Sequence, residues 1–439
     1  MTLAGLKALF ARAGCTQLYA KRLAENDNSK NQVYFGPDFK ALNLFPNEGI
    51  LPDTRSGNAT FKAKLRFGWL LADGSVASVP SAQLILYPQY PEVRFSGFLR
   101  GCSEAPSELM TSRQAGRILF LGVGPQHGVI GFVVAAGSQE ASEFDREREA
   151  SAVGVFLRLV LPGGLGEATA RSKLLAALKR ISGSGWIESK QLDQHGILGP
   201  CNAPQCGGFT LEAELGIAKN SMAEPDYLGW EIKQHAVRDF DRPASGAAIT
   251  LMTPEPTGGF YKDKGPEAFV RKFGYLDKAG RVDRMNFGGV HKVGVRHKST
   301  GLTLQVHGYD AVTEVIVDPN GSIALLDDRG RIAASWGFAG LLAHWARKHS
   351  KAVYVPSKIR KEPSRQYSYG PKVRLAEGTD SLLLLKTFAC GSVFYDPGIK
   401  VENISGAPKV KRRNQFRIAS RNIPELYEHV VQVDVSSDD

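Results

Sequence analysis

The sequence lacks any long apolar run, which excludes the ordinary helical membrane proteins. A membrane-spanning helix needs about 20 consecutive apolar residues, whereas the run of leucines at residues 382–385 is far shorter. The first residues, MTLAGLKALFARAGC, have no long apolar core followed by a clean cleavage site, so they predict a short amphipathic helix rather than a signal peptide. We therefore expect a soluble, cytoplasmic protein without a membrane partner.

Cysteine is also scarce: Cys15, Cys102, Cys201, Cys206 and Cys390 are the only ones, and they are scattered along the chain. Small secreted domains that depend on disulfides carry even numbers of cysteines, so this pattern favours a reducing cytoplasm. Cys201 and Cys206 are close enough to suggest zinc, but no second Cys or His pair lies near them at zinc-finger spacing. We expect thiols there rather than a zinc site.

Acidic residues are too few to balance the basic ones. The chain has 55 Lys and Arg against 44 Asp and Glu, a formal net charge of +11. Such an excess favours a polyanionic partner, because Lys and Arg that neutralise phosphates release condensed counterions. It does not separate DNA from RNA or from an anionic membrane, and a merely solvated surface is the plain alternative.

The 439 residues predict two or three domains of different class. Residues 17–134 are mostly strand-like, since stretches such as SAQLILYP and RILFLGV are separated by Gly, Pro, Asn or Asp, which predicts a barrel or sandwich. Residues 141–152 are polar and charged, as is typical of a linker. Helices and strands alternate afterwards. The predicted fold is multi-domain, with a β-rich domain at 1–140 and an α/β domain at 153–439.

The segment EPDYLGWEIKQH combines two carboxylates and a lysine at the spacing of the PD-(D/E)XK nuclease motif. Asp226 precedes a turn, and in the strand predicted at residues 228–234 Glu231 and Lys233 point to the same face. Two carboxylates can hold Mg²⁺ while leaving positions for water and phosphate. A lysine beside them can orient or help deprotonate the attacking water. The segment predicts phosphodiester hydrolysis with Asp226 and Glu231 as metal ligands.

By itself this motif is weak, because it arises by chance in about one chain in ten of this length. The plain alternative is a surface turn followed by a strand with an ordinary ion pair. The other two Pro-Asp pairs of the chain are not followed by acid-x-Lys. A helix predicted at residues 209–217 places a further acid, Glu212, just before the motif, and Glu214 on the same helix competes for its role.

The stretch GGFTLEAELGIAKNSMAEPDYLGWEIKQH, and after it ITLMTPEP, KFGYLD and NQFRIASRNIPELYE, resembles the MvaI/BcnI restriction endonuclease family and, more distantly, the mismatch-repair nicking enzyme MutH. The resemblance covers most of residues 160–433. It implies that Asp226 and Glu231 hold Mg²⁺, that Lys233 is the catalytic lysine and that Glu212 is the helix acid. It also implies a bacterial host with a cognate DNA methyltransferase.

The run KVKRRNQFRI is a candidate base-reading element, because Arg can donate two hydrogen bonds to guanine O6 and N7. The alternative is a solvated loop that contacts only phosphates. The resemblance implies base recognition in this region, although the histidines among the family's readers are replaced here by Arg and Lys. The candidate DNA contacts in this half are His235, Lys411, Arg412, Arg413 and Arg417.

In the amino-terminal half, LYAKRLAENDNSKNQVYFGP, YPEVRFSGFLRG and RQAGRILFLGV resemble the effector domain of EcoRII-type restriction enzymes, a DNA-binding pseudobarrel whose two arms clamp the major groove. The family's segment after Asn-Asp is usually rich in Gly, Thr and His, whereas this chain has NSKNQ. The alternative is a β-domain with ordinary surface arginines. The resemblance implicates Lys21, Arg22, Asn26 and Asp27 in one arm, and Arg94 and Arg100 near the other.

Together these patterns predict a Type IIE-like restriction endonuclease, in which a pseudobarrel effector domain precedes a PD-(D/E)XK nuclease domain. We expect a monomer that cuts double-stranded DNA at a short palindromic site and binds up to two DNA sites at once. The resemblance favours CCWGG as that site, since both halves have relatives that recognise it. The alternatives are a MutH-like repair nickase and a DNA-binding regulator without catalysis.

Overall fold

The structure is a computed structural model that describes residues 1–54, 59–124, 128–219, 225–243, 246–346 and 348–437. It divides into two compact units, Met1–Ser172 and Lys173–Asp439. No helix among the described residues is long and apolar enough to cross a membrane.

The first unit is β-rich. Its helices are α1 (Leu3–Arg12), α2 (Ala41–Leu44), α3 (Ser107–Thr111) and α4 (Gln139–Phe144). Its strands are β1 (Gln17–Arg22), β2 (Val33–Gly36), β3 (Ile50–Asp53), β4 (Thr60–Lys64), β5 (Phe67–Leu70), β6 (Val76–Val79), β7 (Gln83–Tyr87), β8 (Glu92–Ser96), β9 (Ile118–Gly124), β10 (Gly128–Val134), β11 (Ser151–Val153) and β12 (Phe156–Leu159).

These strands form two sheets, in the orders β11-β12-β1-β9-β10-β5-β6 and β2-β8-β7-β4-β3. The strands β9 and β10 are buried along almost their whole length, which explains their near-continuous apolar sequence. The predicted amino-terminal helix is confirmed as α1, whose N-cap Thr2 accepts a hydrogen bond from the N–H of Gly5 at 3.0 Å. Helix α1 packs through Leu6 and Phe10 into the core of this unit. Gly122 of β9 leaves room for this contact, since a Cβ there would meet Phe10 at 2.5 Å.

The predicted linker, residues 141–152, includes the end of α4 and the start of β11. Phe144 is buried in the core of the first unit, and Lys7 forms an ion pair with Glu147. Strand β12 pairs with β1, so the division between the two units falls after Ser172 rather than at the predicted linker. The boundaries of the functional domains stay a prediction.

The second unit mixes helices and strands. Its helices are α5 (Glu167–Gly183, which begins before the division), α6 (Cys206–Glu214), α7 (Gly259–Phe273), α8 (Phe338–Trp345), α9 (Ser381–Ala389) and a 3₁₀ helix at Ser420–Leu426. Its strands are β13 (Ile187–Glu188), β14 (Lys190–Leu192), β15 (Leu198–Pro200), β16 (Glu231–Ala236), β17 (Ile249–Met252), β18 (Tyr275–Leu276), β19 (Arg284–Gly288), β20 (Thr303–His307), β21 (Tyr309–Asp310), β22 (Val315–Ile316), β23 (Ser322–Leu326), β24 (Ile332–Gly337), β25 (Lys351–Arg360), β26 (Gln366–Tyr369), β27 (Lys372–Glu377), β28 (Val393–Tyr395), β29 (Gly398–Glu402), β30 (Lys409–Lys411), β31 (Phe416–Ile418) and β32 (His429–Asp434).

The main sheet of this unit runs β13-β26-β25-β27-β32, and β16 pairs in parallel with the central strand β25. The core on one side of this sheet joins Leu211 of α6 to Trp230, Ile232 and Val353. The remaining strands form smaller sheets, in the orders β17-β31-β28, β18-β19-β29-β30 and β20-β23-β24, besides the hairpins β14-β15 and β21-β22. The basic run predicted to read bases thus lies at β30, at β31 and in the loop between them.

The expectation of thiols at Cys201 and Cys206 is wrong, because the two residues form a disulfide. The sequence argument weighed zinc spacing and the scattered pattern of all the cysteines, but the turn before α6 brings this one pair together, with Cα atoms 5.7 Å apart. Cys15, Cys102 and Cys390 are free.

Candidate active site

Strand β16 places the acid-x-Lys residues. Its parallel pairing puts Glu231 opposite Ala352 and Lys233 opposite Tyr354 of β25. Because side chains alternate along a strand, Ile232 points into the apolar core, together with the preceding Trp230. Glu231 and Lys233 lie on the other face, and the Lys233 Nζ donates to Glu231 Oε1 at 2.5 Å.

A tight turn brings Asp226 back onto this strand. Tyr227 and Trp230 exchange backbone hydrogen bonds of 3.0 and 2.8 Å, and Leu228 and Gly229 between them have φ angles of 49° and 86°. Glycine adopts such a left-handed conformation without steric cost, so Gly229 makes the turn possible. The turn lets Asp226 Oδ2 accept a hydrogen bond from the backbone N–H of Ile232 at 3.0 Å.

The three predicted carboxylates influence one another electrostatically. Burial, and next to it the charge of Asp226, raises the pKa of Glu212 on α6 to about 7. Burial and the neighbouring Glu231 raise the pKa of Asp226 to about 6. Glu214, the competitor for the role of helix acid, instead forms ion pairs with Arg180 and Lys190. The carboxylate that is coupled electrostatically to the Asp226–Glu231 pair is therefore Glu212, whereas Glu214 is occupied by basic partners.

One carboxylate oxygen of this cluster is suited to bind a cation. The side chain of Glu231 is almost fully buried, and its Oε2 has no hydrogen-bond partner among the described residues. A buried carboxylate oxygen without a partner is costly unless a cation or water completes it. No group of three or more His, Cys, Asp and Glu in the described part of the chain has the arrangement of a metal site. Asp226 and Glu231 are the two carboxylates here that could hold a divalent cation, with water and phosphate oxygens completing its coordination.

Metal binding should weaken as the pH falls through the raised pKa values. Because their pKa values are raised, Asp226 and Glu212 take up protons near neutral pH, and a metal ligand must be deprotonated to bind. Between pH 8 and pH 6 we expect the affinity for Mn²⁺, measured by isothermal titration calorimetry, to fall by about tenfold or more. Glu212→Gln should flatten this dependence, whereas the matched change Glu214→Gln should not. A pH-independent affinity in the wild-type protein would contradict the prediction.

Sequence reasoning missed a second lysine at this site. Lys348 lies between α8 and β25, and its Nζ is 3.6 Å from Glu231 Oε1 and 3.9 Å from Asp226 Oδ1. The basic segment around it, HWARKHSK, lies far from the motif in the sequence. Only the parallel pairing of β25 with β16 brings it beside the motif. The signal that could have found Lys348 is the parallel register, because a residue just before β25 lies close to Glu231 at the start of β16.

The candidate DNA contacts of this unit divide into exposed and internal residues. Lys411, Arg412 and Arg413 are exposed. Arg417 instead forms an ion pair with Asp396 at 2.6 Å and donates to the backbone carbonyl of Ala248. His235 is buried, its Nε2 lies 3.1 Å from the carbonyl of Pro243, and burial lowers its pKa to about 4. In this structure both side chains have partners within the protein, and His235 is buried whereas Arg417 is partly exposed.

The candidate DNA contacts of the first unit divide in the same way. Lys21 and Asp27 form a buried ion pair of 2.6 Å, and Arg22 pairs with Asp145. Arg100 is exposed. An open cleft of about 690 Å³ is lined by Asn26, Asp27, Lys30, Asn31, Gln32, Tyr34, Glu92 and Arg94. The structure thus brings Asn26, Asp27 and Arg94 to one cleft. The amine of Lys21 is occupied by its buried ion pair with Asp27.

The family of the chain follows from comparison with known proteins. The model of the MvaI/BcnI restriction endonuclease family matches residues 175–427, more than half of the 439 residues. The chain belongs to this family. The family predicted from the sequence is therefore confirmed, and the α/β region carries the restriction endonuclease fold. Asp226, Glu231 and Lys233 lie within the range matched by the MvaI/BcnI model, whereas the β-rich region before residue 175 lies outside it.

Two solved structures are similar to this MvaI/BcnI-family chain. One is described as a complex of restriction endonuclease MvaI with its cognate DNA substrate, at 18% identity over 60% of this chain and 97% of that chain, with a TM-score of 0.44. The other is restriction endonuclease MvaI in the absence of DNA, at 18% identity over 62% and 99%, with a TM-score of 0.34. No curated protein matches the chain.

Proposed function

We propose that the chain is a Mg²⁺-dependent Type II restriction endonuclease that hydrolyses double-stranded DNA at a short palindromic site, with CCWGG the favoured sequence. The observation that carries the proposal is the cluster of Glu231 and Lys233 on one face of β16 with Asp226, which the preceding turn brings back to this strand, inside the region that matches the MvaI/BcnI family. In this proposal the enzyme works in a bacterial cytoplasm, where a cognate methyltransferase protects the host DNA.

The residues of the cluster have distinct roles in this reaction. Asp226 and Glu231 would hold Mg²⁺, which when bound supplies an activated water and stabilises the charge of the phosphate. Lys233 can orient the attacking water and balance negative charge that develops on the phosphate, because it lies beside Glu231. Glu212, with its pKa near neutrality, is suited to accept a proton close to this centre. The products would carry 5′-phosphate and 3′-hydroxyl ends.

The family model matches one nuclease region in this chain, so we propose that a monomer cuts one strand during each engagement with its site. The exposed Lys411, Arg412 and Arg413 are the proposed contacts to bases and phosphates. Arg417 and His235, which have internal partners, would support this surface rather than read the DNA.

The first unit is proposed to be an EcoRII-type effector domain, a pseudobarrel that binds a second copy of the site. Two sheets, a closely packed apolar core and a polar cleft with Asn26 and Arg94 support this proposal. In a Type IIE-like enzyme, tethering raises the local concentration of the second DNA site, and the coupling between the two binding events must be reciprocal.

Digestion of sequenced plasmids tests the proposal. With Mg²⁺ we expect double-strand cuts at one short sequence, and end mapping should identify the site and the cut position. A plasmid with two copies of that site should be cut several-fold faster than a plasmid with one copy, if the first unit binds the second copy. Nicks that never become double-strand cuts would favour a repair nickase. Binding without any cleavage would favour a regulator. Equal cleavage rates on both plasmids would reject the effector role of the first unit and leave the proposed nuclease activity standing.

A further inference from the structure

Lys348 gives the carboxylate cluster a second positive charge. Its Nζ lies 3.6 Å from Glu231 Oε1 and 3.9 Å from Asp226 Oδ1, so it faces both proposed metal ligands. Lys233 contacts the same Glu231 Oε1 at 2.5 Å. The two lysines differ in kind, because Lys233 donates a hydrogen bond to this oxygen, whereas Lys348 lies beyond hydrogen-bond distance from both carboxylates.

The position of Lys348 is set by the protein core. The next residue, His349, is buried, and its ring stacks on Trp345 of α8 with ring centroids 4.2 Å apart. Its ring nitrogens lie 3.2 Å from the carbonyl of Trp345 and 3.1 Å from that of Leu251. Burial lowers the pKa of this histidine to about 3, so it is neutral and adds no charge to the site. The backbone at Lys348 is thus anchored on its carboxyl-terminal side, while the lysine side chain is 31% exposed.

The charges of the cluster explain why a lysine is useful here. The charges of Asp226 and Glu231 help to raise the pKa of Glu212, and the charge of Glu231 helps to raise that of Asp226, which means that the ionised carboxylates repel one another. Lys348 opposes this repulsion at Asp226 and at Glu212. A divalent cation held by the same carboxylates would oppose it more strongly, and it would repel the lysine.

We propose that Lys348 is an internal counter-cation, which balances Asp226 and Glu231 in the metal-free enzyme and gives way when the metal ion binds. This inference rests on the proposed metal site. Because Lys348 and the metal ion compete for the same carboxylates, the lysine lowers the affinity of the free enzyme for metal. The long distances to both carboxylates and the partial exposure of the side chain leave it a path towards solvent.

The test is the affinity for Mn²⁺ of the full chain without DNA, measured by titration calorimetry at pH 8 and low salt. Lys348→Ala should bind Mn²⁺ about tenfold more tightly than the wild type, because a positive charge about 4 Å from the ligands has been removed. Lys348→Arg keeps the charge and should remain close to the wild type. Lys358→Ala is the matched control, since Lys358 lies on β25 and packs over Phe240, away from the cluster.

A second readout guards against a folding defect. The rise in melting temperature on adding Mn²⁺ should be larger for Lys348→Ala than for the wild type, while Lys358→Ala should show the wild-type rise. Unchanged or weaker Mn²⁺ binding by Lys348→Ala, with binding intact in the wild type, overturns the inference and leaves the proposed function standing. Absence of Mn²⁺ binding in both the wild type and Lys348→Ala rejects the proposed metal site, and this inference with it.

Discussion

Replacing Lys233 by alanine is expected to lower the rate of DNA cleavage by about 10²- to 10⁴-fold, while the affinity for DNA changes little. Lys233 is the lysine that contacts Glu231 directly. In the proposal it orients the attacking water and balances the negative charge that develops on the phosphate. Single-turnover cleavage with saturating Mg²⁺ measures the rate, and filter binding without metal measures the affinity. Lys372→Ala is a suitable control, because Lys372 lies on β27 of the same sheet and pairs with Asp241. Cleavage by Lys233→Ala at the wild-type rate would reject the assignment of the site.

The companion variant Asp226→Asn should separate loss of catalysis from loss of folding. The amide oxygen can still accept the hydrogen bond of Ile232, but the buried negative charge beside Glu231 is gone. Because the pKa of Asp226 is raised, its ionised form destabilises the native state, and this cost is fully present at pH values above about 6. The cost disappears at pH values below the pKa that Asp226 has in the unfolded chain. Asp226→Asn should therefore abolish cleavage and raise the melting temperature of the metal-free protein at pH 8, with little change at pH 4. A lower melting temperature at pH 8 would count against this account of the cluster.

The second large effect is expected at Arg117 in the first unit. This arginine is fully buried, and it donates hydrogen bonds to the backbone carbonyls of Gln114, Leu109, Ala24 and Asp27. Arg117→Met keeps much of the volume but leaves these buried carbonyls without a donor, so it should lower the free energy of unfolding of this unit by about 3 to 5 kcal/mol. Thermal or urea unfolding measures the change.

The same variant also tests the effector role. Arg117 holds the backbone at Ala24 and Asp27, while the Asp27 carboxylate accepts hydrogen bonds from the N–H groups of Ala24 and Tyr34 at 3.1 and 2.9 Å. The proposed DNA arm therefore depends on Arg117 for its shape. Two-site plasmids should lose their faster cleavage in Arg117→Met, whereas one-site plasmids should be cut as by the wild type. Arg113→Met, at an exposed position close by, should change neither stability nor cleavage. Wild-type stability of Arg117→Met would contradict the structural argument.

The centre of the site could be predicted from the sequence, because the alternation of side chains along a strand depends only on neighbouring residues. Alternation along a strand was enough to place Glu231 and Lys233 on one face and Ile232 in the core. A helix that carries Glu212 was predicted at residues 209–217, and the structure has it at Cys206–Glu214. The choice between Glu212 and Glu214 was not predictable, since it depends on Arg180 and Lys190 taking up Glu214.

Contacts between residues that are far apart in the sequence could not be predicted. Lys348 reaches the carboxylates only because β25 lies beside β16. No sequence pattern shows that Asp396 lies against Arg417 and the carbonyl of Pro243 against His235, and the DNA contacts of these two residues stay a prediction. The disulfide between Cys201 and Cys206 depends on the turn that precedes α6. A residue type and its spacing show what a side chain could do, whereas its actual partner is a property of the tertiary structure.

The parallel pairing of β16 with β25 has a consequence for the order in which the enzyme is made. The ribosome completes Asp226, Glu231 and Lys233 well before it reaches β25, and the intervening residues include α7 and α8. Parallel strands this far apart in sequence cannot pair until the later one has been synthesised, and such long-range pairing forms slowly. A nascent or prematurely terminated chain thus carries the motif without the strand that supports it. In the proposed nuclease, assembly of the cluster therefore requires a chain that has been translated to the end of β25.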